Sequence, residues 1–68
     1  METNPADFIF AHHGSIIMVT PNTDAATEWV DEHLSLEDWQ WMGAAFAVEH
    51  RYAGDLADGI RADGLVIS

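Results

Sequence analysis

The sequence predicts a small α+β domain of order ββαβαβ, a sheet with two helices packed on it, and three observations lead there. The first is the stretch from Trp39 to Gly64, where an apolar run at 41–48 gives way to a helical pattern at 52–62. The second is a pair of β-rich runs at 8–11 and 15–19 separated by His12-His13-Gly14, which fits a hairpin with Gly14 at the position needing positive φ. The third is a helix start at Thr23-Asp24, a good N-cap followed by an acid where the helix dipole favours negative charge. A chain of 68 residues has room for one domain over 1–68, with a flexible lead-in at 1–6.

Residues 41–48 read as one central strand. Met42, Ala44, Phe46 and Val48 would face one side and Trp41, Gly43, Ala45 and Ala47 the other, so neither side looks wet. A turn at 49–51 should lead into a helix at 52–62, with Ala53, Leu56, Ala57 and Ile60 as its inward stripe and Gly64 as its left-handed cap. Residues 65–68 can form a last short strand. Upstream, Thr20-Pro21-Asn22 ends the second strand, because proline cannot donate to a ladder. The helix from Asp24 to about Leu34 would bury Ala26, Trp29, Val30, His33 and Leu34, and Ser35 is placed to cap one turn in the connector that follows. If both helices lie on one face of the sheet, its other face stays apolar and calls for a partner or a homodimer.

Charge is the outlying property. Twelve acidic residues against Arg51 and Arg61 give a formal net charge of −10, which repels nucleic acid and anionic membrane and draws the protein to basic surfaces. Solubility alone explains some acidity, but about one negative charge per seven residues exceeds that need. With no cysteine there is no disulfide, no thiolate nucleophile and no cysteine-bearing zinc site. No signal-like or membrane-length apolar run is present, so the expectation is a soluble protein of the host cytoplasm.

Catalytic signatures are lacking. His12 and His13 fall in a hairpin turn, His33 at a helix end and His50 in a strand-to-helix turn, with neither i, i+4 nor HxH spacing, so no metal site is expected, and no cofactor either. Ser15 follows Gly14 without a G-x-S-x-G elbow, and Gly54 and Gly59 lie in a helix instead of a phosphate loop, so the reading is of a protein that is not an enzyme. Arg51 with Asp55 and Arg61 with Asp58 have ion-pair spacing on a helix. Such pairing leaves Asp24, Glu28, Asp31, Glu32, Glu37 and Asp38 unneutralised. Over 24–32 the helix rises about 12 Å and carries four carboxylates, close to the axial charge density of a DNA strand at one phosphate per roughly 3.4 Å. The partner-binding set is therefore these six acids together with Trp39. Trp29 and Trp41 read as core; the balance for Trp39 also leans to core, with an interface anchor flanked by acids as the alternative.

Ala47-Val48-Glu49-His50-Arg51-Tyr52, followed by Asp55-Leu56, Gly59-Ile60 and Asp63-Gly64-Leu65, resembles a family of small acidic proteins encoded by bacteriophages and prophages of proteobacteria. His13-Gly14-Ser15-Ile16, Thr23-Asp24-Ala25-Ala26 and Glu28-Trp29-Val30 extend the likeness over most of the chain. That family has no assigned catalytic function, so no active-site residues carry over. Small acidic phage proteins of this kind are similar to anti-CRISPR proteins, many of which block the DNA-binding surface of a CRISPR effector. The resemblance implies a DNA mimic that inhibits a type I surveillance complex without itself binding nucleic acid. The alternative is a small phage structural, assembly or dimerisation module whose acidity only confers solubility.

Overall fold

Two glycines shape the sheet. In the computed structural model, which describes residues 6–68, Gly14 and Gly43 both sit at φ +68°, while Ser15 and Ala44 after them do not adopt positive φ. Positive φ at only the first of two loop residues is the type II′ pattern, whose twist suits a two-residue hairpin. The first hairpin joins β1 (Phe8–His13) to β2 (Ile16–Pro21), with His13 opposite Ile16. The second joins β3 (Trp41–Met42) to β4 (Ala45–Glu49), with Met42 opposite Ala45. The sheet is antiparallel throughout, in the order β1-β2-β4-β3, and the fold is α+β.

The second hairpin corrects the single strand expected over 41–48. Gly43 supplies a left-handed turn that no other residue there tolerates, and the apolar run folds back on itself. Trp41 consequently lies across from Phe46 and shares its face, with the rings edge-on at 5.3 Å, instead of facing away from it. β4 lies between β2 and β3, so the second half of the run expected as a central strand does occupy an inner place in the sheet, as β2 does.

Both helices lie on one face of this sheet. α1 (Asp24–His33) starts where expected, with Thr23 Oγ1 accepting from Ala26 N–H at 3.1 Å. α2 (His50–Ala62) begins two residues before the predicted start: β4 runs directly into it, Glu49 takes the N-cap position, and no separate turn intervenes. Trp29 and Val30 from α1 and Ile60 from α2 meet Phe8, Ile17, Val19 and Phe46 of the sheet in one buried cluster, with Leu56 half-buried at its margin. The Trp29 ring stands edge-on to Phe8 at 5.9 Å. His33, expected inside, is exposed, and its ring lies flat on Trp29 at 4.4 Å.

The chain end closes one edge. Gly64 at φ +84° ends α2, with its N–H on Arg61 O and Leu65 N–H on Ile60 O, the paired bonds of a Schellman motif. That cap turns residues 65–68 back along β1. There they run parallel to it through the single bridge Phe8 to Ile67, less than the strand expected, supported by bonds such as Phe8 N–H to Val66 O at 3.0 Å and Ser68 N–H to Phe8 O at 2.9 Å. Of the predicted lead-in, 1–5 lies outside the described residues, and Ala6 is held through its carbonyl by the Asn22 side chain at 3.1 Å.

Candidate protein-binding surface

The acids of α1 point away from the core because the apolar residues of the helix claim the other side. Ala26, Trp29 and Val30 are buried, and Asp24, Glu28, Asp31 and Glu32 are all exposed. At 100° per residue these four fall within an arc of about 100° and form one stripe. Among the described residues no cation pairs with any of them. The helical pairs expected at Arg51–Asp55 and Arg61–Asp58 are absent too. Arg51 turns back to Glu49 at 3.8 Å and lies over the Tyr52 ring at 5.0 Å, because α2 begins early enough to bring the Glu49 cap beside it. Neither arginine therefore compensates the α1 stripe.

Glu37, Asp38 and Trp39 belong to a different element, a 3₁₀ turn at Asp38–Gln40 on the connector after α1. Its cap is Glu37, not the Ser35 expected. Glu37 N–H donates to Gln40 Oε1 and Gln40 N–H to Glu37 O, both at 3.0 Å, so the turn is closed on itself and its side chains project outward. Trp39 is 79% exposed, which corrects the leaning to core. Two residues later Trp41 packs against Phe46, and Leu36 of the same connector also packs on the core, while Trp39 stays outside. Trp39 instead forms a wall of an open groove of about 400 Å³ with Gln40, Val48, Glu49 and Tyr52. The seven predicted residues thus make two patches, the α1 stripe and the 3₁₀ turn, and all seven are exposed.

Three side-chain clusters escaped the sequence reading. Asp7 Oδ1 accepts from Thr23 Oγ1 at 2.7 Å and its Oδ2 from Val66 N–H at 2.9 Å, so one carboxylate ties the chain's beginning, the cap of α1 and the chain's end. The Val66 amide first and the Thr23 hydroxyl second hold the Asp7 carboxyl below the usual carboxylate range. Asp63, just past α2, accepts from Trp29 Nε1 and lies 3.5 Å from His33 Nε2, locking the ends of the two helices together. On the opposite side His12 of β1 and His50 of α2 stack at 5.2 Å. Sequence separations of 16 to 59 residues leave no local signal for the Asp7 contacts, and the other clusters join elements equally remote in the chain.

Among the described residues no three His, Asp or Glu side chains come together as a metal-ligand set, and no helix is long and apolar enough to cross a membrane. Comparison with family models, curated proteins and solved structures found no match to this chain.

Proposed function

We propose that this protein is a non-enzymatic inhibitor that sets its α1 carboxylates against the lysines and arginines a host protein uses to hold nucleic acid. One observation carries the reading: Asp24, Glu28, Asp31 and Glu32 form an exposed stripe with no cation beside it among the described residues. Four carboxylates over about 12 Å of helix match the phosphate spacing such a surface is built to receive. The resemblance to acidic phage proteins supports an anti-CRISPR role in the host cytoplasm, with a type I surveillance complex as the target. Trp39 and the acids of the 3₁₀ turn supply a second contact, an aromatic anchor beside the charge.

The test is an electrophoretic shift of target DNA by a purified type I effector, with wild type and E28Q/D31N/E32Q titrated in. Wild type should displace DNA, with an affinity that falls steeply with salt, and the triple variant should not. Its melting should stay within about 0.5 kcal/mol of wild type, since none of the three residues caps the helix or touches the core. Equal inhibition by both proteins rejects α1 as the site.

A specific observation favours the second reading, a phage assembly or dimerisation module. The sheet face opposite the helices exposes Ile9, Ile16, Met42 and Val66, and a second copy packed there would bury them while both acidic layers face outward. A homodimer in sedimentation equilibrium at micromolar concentration, with no inhibition of any nucleic-acid-binding complex, would establish that reading. A strict monomer removes it.

A further inference from the structure

The β3 side of the sheet stops early, and what it leaves open has the form of a slot for a strand. His50 N–H donates to Ser15 O at 3.0 Å, so the register makes Val48 with Ile17, and Phe46 with Val19, the pairs that exchange hydrogen bonds across β2 and β4. Alternation along β4 turns the C=O of Ala47 and the N–H of Glu49 the other way, past Gln40, the last residue that the Trp41–Phe46 pairing brings opposite β4. β3 faces β4 only at Trp41–Phe46 and Met42–Ala45, so no strand stands opposite these groups. At the far side of the sheet the corresponding edge of β1 is covered by residues 65–68. Here the chain turns off into the 3₁₀ turn instead.

Two hollows flank this open edge, one on each side of the sheet. The outer is the groove of about 400 Å³ walled by Trp39, Glu49 and Tyr52, and the inner, of about 370 Å³, lies between β4 and the helices against Leu34, Leu36 and Leu56. Val48 and Tyr52 border both. Side chains of a strand alternate between faces, so a segment laid along Ala47–Glu49 delivers neighbouring side chains to the two hollows in turn.

We propose that this edge binds an extended, basic peptide segment as an added strand, with an apolar side chain in the inner hollow and a lysine or arginine between Trp39 and Tyr52. Charge selects that occupant. Glu49 lines the outer hollow and Asp55 the inner one, Glu37 and Asp38 are exposed on the 3₁₀ turn that carries Trp39, and Arg51 is already turned to Glu49 and the Tyr52 ring. A second copy of this chain, with twelve acids and two arginines, is poorly matched to the same groove. Main-chain bonds give such a complex its affinity and the alternating hollows give it selectivity, the mode of strand addition to an exposed sheet edge. The inference deepens the proposed function only in naming how a basic partner is gripped; its site is separate from α1.

The probe is a fluorescein-labelled heptapeptide alternating arginine and leucine, followed by anisotropy, beside the same peptide N-methylated at alternate residues so that charge is kept and strand hydrogen bonds are lost. The unmodified peptide should bind in the micromolar range, and the methylated one at least tenfold more weakly. In amide NMR spectra the Ala47 and Glu49 signals should move and those of α1 should not. Tyr52→Ala should weaken binding about fivefold. Equal binding of both peptides, shifts confined to α1, or no binding at millimolar peptide would overturn the proposal, as would movement of the Ala47 and Glu49 signals with protein concentration alone, which would give the edge to a second copy. Loss of peptide binding with DNA displacement intact refutes this site and spares the proposed function, and the reverse result refutes the function and spares the site.

Discussion

The two faces of the sheet are alike in composition and opposite in fate. Facing the helices, Phe8, Ile17, Val19 and Phe46 are buried; facing away, Ile9, Ile16 and Met42 are exposed, with Ala11, Met18, Ala45 and Ala47 half-buried among them. Both sets are apolar and both alternate along the same strands. Hydrophobicity therefore made these segments strands, and the placement of two helices on one side decided which set became the core. The bare face is contiguous across four strands, and its edge at β4 is the one the chain leaves unpaired.

The strongest way to break the comparison is to truncate one residue on each face. Phe46→Ala should cost about 3–5 kcal/mol, enough to unfold a domain of this size, because the Phe46 ring is wholly buried against Trp41 and the helices. Met42→Ala, at a side chain 65% exposed, should cost less than about 1 kcal/mol. Thermal melts followed by circular dichroism measure both. An unchanged melt for Phe46→Ala would place the core elsewhere, and a comparable loss at Met42 would mean that the outer face is covered in solution.

What the sequence disclosed follows the same division. The Thr23 cap, the stripe of Trp29 and Val30, and Gly64 were legible because caps and helical periodicity are local. The break at Gly43 was not, since a glycine within an unbroken apolar run carries no Asn or Asp to announce a turn. The α1 acids could be placed on one face from spacing alone, whereas the exposure of Trp39 depends on which nearby tryptophan wins the inward position. The open edge of β4 depends on where a partner strand ends, which no property of β4 itself records.

A smaller effect should come from the clamp that holds the covering layer in register. Asp7 links the α1 cap to the chain's end, and Asp7→Asn should lower the melting temperature by weakening the bonds to Thr23 and Val66. Its folded pKa lies below the ordinary carboxylate value of 3.8, so its contribution is complete above that value and is lost as pH falls through the depressed folded one. Melts of wild type and variant should differ at neutral pH and converge in strong acid. A gap that stays constant down to pH 2 would mean that the Asp7 charge is not what holds the three segments.

The smallest effect distinguishes the packed side from the turn that bares the other. Gly59 lies within α2, and a methyl added there would sit 3.7 Å from Trp29 Cζ2, an ordinary contact over the buried layer. Gly59→Ala should therefore stabilise by about 0.5–1 kcal/mol, through helix propensity and a reduced unfolded-state entropy. The same substitution at Gly43 meets open space but a backbone at φ +68°, where an L side chain is strained, and should destabilise by about 1 kcal/mol or more. Urea midpoints read at unchanged slope measure both signs. If Gly59→Ala destabilises instead, α2 and Trp29 leave no room for a methyl, and the helical layer is packed more tightly over the inner face than the 3.7 Å gap implies.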